Sequence, residues 1–116
     1  MKHDETRKPR IHVYYTPEIE DISIFEDVLF GIEEEGIPYA VKEEMNLNSL
    51  ELCYKAAQRS NLAVGIGIKA DGEVTLTFNK LKKNEPLFIV DSCWDKTILR
   101  NLGTNAGRLV KGIAFK

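Results

Sequence analysis

The chain has 116 residues, which is too short for two typical domains, and 43% of them are hydrophobic, which is enough to bury one core. Its 16 Lys and Arg residues against 18 Asp and Glu residues leave a net charge of -2, which excludes a global field that attracts nucleic acid or an anionic membrane. The two cysteines form no CxxC pair or disulfide framework, and no apolar run of about 18 residues occurs, so we expect a reduced, cytoplasmic protein that is not exported.

The first half of the chain predicts two strand-helix units after a charged, flexible tail over residues 1–9. Residues 11–15 are β-branched and aromatic, which is typical of a buried strand. Apolar residues recur at steps of three and four over residues 19–35, and this spacing predicts an amphipathic helix. A short strand over residues 39–42 and a second helix over about residues 48–60 complete this half.

The second half of the chain predicts three strands and a last helix. The strands are expected over residues 62–68, 73–78 and 87–90. The dipeptide at residues 71–72 is Asp-Gly, which predicts that the first two of these strands form a hairpin. The third is an apolar run of a kind suited to a central strand. Asp91 or Ser92 can cap the last helix, and Gly112 can end it.

The element order β-α-β-α-β-β-β-α predicts an α/β fold in which helices cover both faces of one sheet. We therefore expect a three-layer α/β/α sandwich with a mixed, mostly parallel five-stranded sheet. Residues 10–116 would form this single domain, with residues 1–9 as its tail.

Two glycines at Gly65 and Gly67 superficially resemble a nucleotide-binding loop. The third glycine is missing, and a turn and a strand follow instead of a helix whose N-terminus would bind phosphate. We interpret both glycines as positions where backbone or a partner approaches a strand closely. The chain also lacks a Walker-type GxxxxGK string, so we expect no ATP hydrolysis by this chain alone.

The histidines and cysteines form no recognisable catalytic or metal-binding set. His3 and His12 have no Cys, Ser or second His at the spacing of a ligand set or a catalytic triad. Cys53 falls on the apolar side of the second helix, which indicates a core position. Cys93 lies close to the expected start of the last helix, where the pKa of a thiol can fall, but no residue that resembles a resolving partner lies nearby.

Three consecutive carboxylates, Glu33, Glu34 and Glu35, lie where the first helix is expected to end at Gly36. Each faces the partial negative charge of the helix C-terminus, which costs a few tenths of a kcal/mol to about 1 kcal/mol. Either the run is a solvated surface, or a cation or a partner surface compensates its charge. Successive side chains point about 100° apart around a helix, so at most one or two of them can bind a hard cation such as Mg²⁺ or Ca²⁺.

Four stretches of the chain together resemble one known family. They are GIEEEGIP at residues 31–38, AVGIGI at 63–68, PLF at 86–88 and LGTNAGRLVKGI at 102–113. The family is the small (beta) subunit of the reactivating factor for adenosylcobalamin-dependent diol and glycerol dehydratases, also called the dehydratase medium subunit.

The resemblance implies a noncatalytic subunit of a chaperone-like factor that forms a hetero-oligomer with a large ATPase subunit. In that role the small subunit leaves the large one, the dehydratase β subunit takes its place, and damaged cobalamin is released from the dehydratase. The implied location is the cytoplasm or a bacterial microcompartment within it. The alternative is a structural subunit of the cobalamin-dependent dehydratase itself, which shares the domain.

The resemblance also implies one metal ligand, at the second glutamate of the Gly-x-Glu-Glu motif. That position is Glu34, which would bind a divalent cation, Mg²⁺ or Ca²⁺, held mainly by the large subunit. Motif membership extends the expected partner interface to Glu33 and Arg108. No catalytic residue and no cofactor of its own are expected for this chain.

Overall fold

The structure of the chain is a computed structural model that describes residues 8–45 and 47–116. The strands are β1 (Ile11–Tyr15), β2 (Tyr39–Glu43), β3 (Val64–Ile68), β4 (Glu73–Phe78) and β5 (Phe88–Asp91). The helices are α1 (Glu26–Glu34), α2 (Ser49–Arg59) and α3 (Lys96–Lys111). Of the tail predicted for residues 1–9, residues 1–7 lie outside the described residues.

The five strands form a mixed sheet in the order β2-β1-β3-β4-β5. Strand β1 pairs in parallel with β2 and β3, whereas β4 is antiparallel to both β3 and β5. Four strands therefore run in one direction and β4 runs in the other. Helices α1 and α3 pack on one face of the sheet, and α2 packs on the other. The predicted three-layer α/β sandwich with a mostly parallel sheet is confirmed.

The main core lies between the sheet and the pair α1 and α3. Alternate residues of each strand face it, because side chains along a strand point to opposite faces in turn. Ile11 and Val13 of β1 and Ile66 of β3 are fully buried there against Val28 of α1 and Leu99 of α3. This packing fixes both helices against the sheet and so sets the position of the C-terminal end of α1.

Gly65 and Gly67 of β3 face α2 and lie directly against its backbone. A Cβ atom at Gly65 would lie 2.7 Å from the carbonyl carbon of Ala56, and one at Gly67 would lie 2.8 Å from the nitrogen of Cys53. Both distances are too short for a real side chain, so only glycine permits this approach. The interpretation of the two glycines is confirmed, and so is the core position of Cys53, which is fully buried.

The first helix begins later than its apolar spacing predicts. Residues Ile22–Phe25 form a 3₁₀ helix, and α1 starts only at Glu26. The carboxylate of Asp21 accepts a hydrogen bond from the backbone N–H of Ser23 at 2.9 Å, which satisfies the backbone locally in a non-α conformation. The prediction of one continuous helix over residues 19–35 is therefore wrong for its first seven residues.

The prediction of a central strand near residues 87–90 is wrong in position. Strand β5 lies at the edge of the sheet, and Ile89 in it is 53% exposed. Apolar composition alone contains no information about the order of strands in a sheet.

The N-cap of α3 is Asp95 rather than Asp91 or Ser92. The Asp95 carboxylate accepts a hydrogen bond from the N–H of Ile98 at 3.0 Å. Ser92 makes other hydrogen bonds: its hydroxyl donates to the carbonyl of Gly72 and accepts from the N–H of Trp94. None of the helices in the described part of the chain combines the length and apolar character that crossing a membrane requires.

The acidic end of α1 as a candidate functional site

The acidic run lies at the C-terminal end of α1, as its sequence predicts. Glu34 is the last helical residue, and Gly36 follows with φ of 76°, in the left-handed region. The N–H of Gly36 donates to the carbonyl oxygen of Glu33 at 2.9 Å, which satisfies one of the free carbonyls at the helix end. The three carboxylates are thus held at a helix terminus that disfavours negative charge.

Glu33 and Glu34 have different partners within the chain. The hydroxyl of Tyr39 donates to Oε2 of Glu33 at 3.1 Å, which anchors this carboxylate to the start of β2. Nη1 of Arg100 in α3 donates to Oε2 of Glu34 at 2.5 Å. The side chain of Glu34 remains 51% exposed, so its ion pair with Arg100 lies at the surface.

Glu35 joins α1 to the end of α3. Nζ of Lys111 lies 2.7 Å from its Oε1, and Nε of Arg108 donates to its Oε2 at 3.3 Å. The hydrogen bond from Lys111 is the main reason that the pKa of the Glu35 carboxyl lies below its usual value, while burial opposes the shift and Arg108 adds to it. With only 12% of its side chain exposed, Glu35 has a structural role between the two helices.

We predict that Glu35→Gln lowers the melting temperature at neutral pH and that this difference shrinks as the solution is acidified. The pKa of Glu35 is lower in the folded than in the unfolded chain, so its stabilising contribution is complete above the unfolded value, about 4.3. The contribution is lost as the pH falls through the folded value. Thermal unfolding of both proteins across this range measures it.

Glu85→Gln is the matched control for the Glu35 prediction, because Glu85 is an exposed carboxylate in the loop before β5. Its melting temperature is expected to follow that of the wild type at every pH. A constant difference between wild type and Glu35→Gln at neutral and acid pH would contradict the role given to Glu35.

Arg108, whose place in the family motif predicts an interface role, contacts Glu35 rather than Glu33 or Glu34. Its Nη1 also donates to the carbonyl oxygen of Ala114 at 3.3 Å, so the guanidinium connects α3 with the C-terminal segment. Its side chain is 30% exposed. One edge of Arg108 thus stays open to solvent beside the acidic run, and its interface role stays a prediction.

Glu34 fits the role of a single metal ligand and not that of a complete site. Among residues 8–45 and 47–116, no three His, Cys, Asp or Glu side chains converge in a way that can hold a metal ion. Glu34 offers a half-exposed carboxylate, which suits a hard divalent cation. Such an ion would need its remaining ligands from another chain.

Sequence reasoning missed Arg100, the partner of Glu34. Arg100, Arg108 and Lys111 are spaced by eight and three residues, so they lie near one face of α3. A basic face at helical spacing in one helix and an acidic run in another together indicate ionic pairing between the helices. This signal was present in the sequence, although it does not specify which charges meet.

The Cys93 thiol does not have the lowered pKa that a position near a helix start allows. Cys93 lies in the turn before α3, with φ of 48°, and its Sγ is 3.5 Å from Oδ1 of Asp91. The hydrogen bond to this carboxylate, and its negative charge, raise the pKa of the thiol. Cys93 is exposed, and the neighbouring carboxylate disfavours its thiolate form.

Comparison with known proteins identifies one family. The sequence model of the dehydratase medium subunit family matches residues 8–116. The chain is 37% identical over 108 residues to a propanediol dehydratase-reactivating factor small subunit of Citrobacter freundii, covering 93% of this chain and 90% of that protein. It is 32% identical to a probable glycerol dehydratase-reactivating factor small subunit of the same organism, over 92% of each chain.

Solved structures lead to the same family. A diol dehydratase-reactivating factor complexed with ADP and Mg²⁺ contains a chain that matches with a TM-score of 0.85 and 33% identity, over 93% of this chain and 97% of that one. A glycerol dehydratase reactivase matches with a TM-score of 0.87 and 32% identity, over 93% and 96% of the two chains. The chain therefore belongs to the dehydratase medium subunit family and is a relative of the small subunits of diol and glycerol dehydratase-reactivating factors.

Proposed function

We propose that this chain is the noncatalytic small subunit of a chaperone-like reactivating factor for an adenosylcobalamin-dependent diol or glycerol dehydratase. The observation that carries the proposal is the extent of the similarity. It covers 93% of this chain and 97% of the matching chain in a solved reactivating factor, with one fold throughout. A relative that matches over its whole length is expected to occupy the same place in its complex.

In the proposed cycle the chain pairs with a large ATPase subunit and is later exchanged for the β subunit of a damaged dehydratase. Displacement at that surface then releases the damaged cobalamin. The presence of ADP and Mg²⁺ in a solved diol dehydratase-reactivating factor supports nucleotide chemistry in the assembly. The proposed place of action is the cytoplasm or a bacterial microcompartment within it.

The proposed contact with the large subunit is the acidic end of α1. Glu34 would supply one oxygen to a divalent cation, Mg²⁺ or Ca²⁺, whose other ligands belong to the large subunit. Its exposure of 51% supports this, because the carboxylate is accessible without unfolding of α1. Glu33 and Arg108 would belong to the same interface, on the ground of their membership in the family motifs.

Co-expression with the large subunit of a dehydratase-reactivating factor from the same organism tests the proposed function. A tagged copy of this chain is expected to retain the large subunit through affinity and size-exclusion chromatography, as one hetero-oligomer. Separate elution of the two proteins, in the presence of Mg²⁺ and of nucleotide, would reject the assignment. Dehydratase activity that requires this chain in stoichiometric amount would instead assign it to the dehydratase.

A further inference from the structure

Arg100 is fixed on α1 by contacts that do not involve Glu34. Its Nη2 and Nε donate to the same oxygen of Asp27, Oδ1, at 3.0 and 3.3 Å. The guanidinium carbon also lies 5.4 Å from the ring centroid of Phe30, within the range of a cation–π contact. The side chain of Asp27 is only 13% exposed, so this anchor is well shielded from solvent. These contacts leave Nη1 as the part of the guanidinium available for another acceptor.

That acceptor is Glu34, which completes one stripe along α1. Asp27, Phe30 and Glu34 follow at steps of three and four residues, so they lie on the same face of the helix. The two helices are in close contact beneath this stripe, because a Cβ atom at Gly31 would lie 2.6 Å from the backbone nitrogen of Thr104. Backbone packing and two side-chain anchors therefore determine where Nη1 of Arg100 meets Oε2 of Glu34.

This arrangement gives the two oxygens of Glu34 different roles. Oε2 accepts from Arg100, whereas Oε1 has no hydrogen-bond partner within residues 8–45 and 47–116. An exposed glutamate at a helix end otherwise samples several rotamers. Binding restricts it to one of them, which costs conformational entropy. Arg100 restricts this freedom before any partner arrives and keeps Oε1 available.

The charge of Arg100 does not by itself prevent cation binding. Asp27 carries one negative charge within hydrogen-bond distance of the guanidinium, so the pair Asp27 and Arg100 is neutral. The group of three residues thus keeps the net charge of -1 that Glu34 contributes. A cation approaching Oε1 therefore meets a negative site rather than a neutral one.

We infer that Arg100 is the positioning residue of the Glu34 site: it holds Oε2 and thereby presents Oε1 to a divalent cation shared with the large subunit. This inference rests on the proposed function. Carboxylates that bind metals are commonly oriented by a hydrogen-bond donor behind them, and loss of such a donor typically lowers metal affinity about 10- to 100-fold. Neither the family motif nor the acidic run contains Arg100.

The test measures the affinity of the chain for the purified large subunit by titration calorimetry, with Mg²⁺ and with EDTA. Arg100→Gln is expected to weaken binding about 10- to 100-fold with Mg²⁺ and less than about twofold with EDTA. Lys96→Gln is the matched control, since it removes the same charge one turn earlier in α3, from a residue that lines one surface cleft together with Asp27 and Arg100. It is expected to bind within about twofold of the wild type in both solutions.

A double-mutant cycle separates positioning from a structural role. If Arg100 acts through Glu34, adding Arg100→Gln to Glu34→Gln causes no further loss of affinity. Should Arg100→Gln not fold by circular dichroism, Arg100→Lys keeps a charge beside Asp27 but lacks the planar fork that serves both carboxylates. It is then expected to show the same Mg²⁺-dependent loss.

Four results would overturn the inference. A loss of equal size with Mg²⁺ and EDTA, or losses that add fully with Glu34→Gln, would show that Arg100 acts on the fold or on the interface in general. Normal binding by Arg100→Gln, while Glu34→Gln binds poorly, would reject the positioning role alone. If the wild-type chain does not bind the large subunit, the proposed function fails and the inference fails with it.

Discussion

Gly103→Ala is expected to destabilise the protein by about 1–3 kcal/mol and to lower its melting temperature by several degrees. A Cβ atom at Gly103 in α3 would collide with the carbonyl group of Val28 in α1, lying only 2.8 Å from its carbonyl carbon. A backbone carbonyl cannot rotate away as a side chain can, so the two helices would have to separate. Urea and thermal unfolding measure the change in free energy.

The sign of this effect is informative, because glycine to alanine inside a helix usually stabilises it by roughly 1 kcal/mol. Thr97→Ala, at an exposed position of the same helix, is the control and is expected to change stability by no more than about 0.5 kcal/mol. A Gly103→Ala protein as stable as the wild type would contradict the close packing of α1 and α3. The packing of α1 against α3 determines the position of the acidic end of α1. Its loss is therefore also expected to weaken assembly with the large subunit.

Glu34→Gln is expected to weaken binding to the large subunit by about 1.5–3 kcal/mol, which is roughly 10- to 150-fold in the dissociation constant. The amide keeps the shape of the side chain but loses the charge that a divalent cation requires. The melting temperature of the isolated chain is expected to change little, because its ion pair with Arg100 is exposed. Calorimetry with Mg²⁺ present measures the affinity.

Glu26→Gln is the matched control for Glu34→Gln, since it removes the same charge from an exposed position at the other end of α1. Its affinity for the large subunit is expected to stay within about twofold of the wild type. An unchanged dissociation constant for Glu34→Gln would reject the metal-bridging role while leaving the family assignment intact.

The elements that sequence predicted well are those whose signals are local. Asn48 accepts from the N–H of Glu51, and the Glu51 carboxylate accepts from the N–H of Asn48, so both ends of this capping box lie within four residues. The Asp-Gly dipeptide at residues 71–72 joins β3 and β4 as predicted. Gly36 likewise ends α1 through its own left-handed conformation. In each case the chain segment contains all of the interacting groups.

The features that sequence predicted poorly depend on distant or competing partners. The apolar spacing before Glu26 is helical, but the Asp21 carboxylate accepts from the N–H of Ser23 and caps a 3₁₀ helix instead. Cys93 and Trp94 both adopt positive φ, which delays the start of α3 to Lys96. The competing hydrogen bonds join residues only two apart, so apolar spacing alone does not indicate whether they or the regular helix prevail.

The acidic run shows the same limit at the candidate site. Its charges required compensation, and the structure supplies part of it from α3 of the same chain. Arg100 is 66 residues from Glu34 in sequence, and the partners of Glu35 are comparably distant. Spacing within a single helix cannot predict such pairs. Glu33 and Glu34 are both exposed, and each has one oxygen without a hydrogen-bond partner among the described residues. The interface proposal centres on Glu34 because of its position in the family motif.

Subunit exchange is tested most directly by following this chain when its complex with the large subunit meets inactivated dehydratase. A fluorophore on Cys93 can report it, because this thiol is exposed while Cys53 is buried. Cys93 follows β5, which is one edge strand of the sheet. Glu34 ends α1, which leads into β2, the strand at the other edge. The label therefore lies at the opposite edge of the sheet from Glu34.

Size-exclusion chromatography with fluorescence detection then separates free and bound chain as reactivation proceeds. The proposed function predicts that labelled chain is released as the dehydratase β subunit joins the large subunit, at the rate at which activity returns. Recovery of activity while the label stays bound to the large subunit would contradict it.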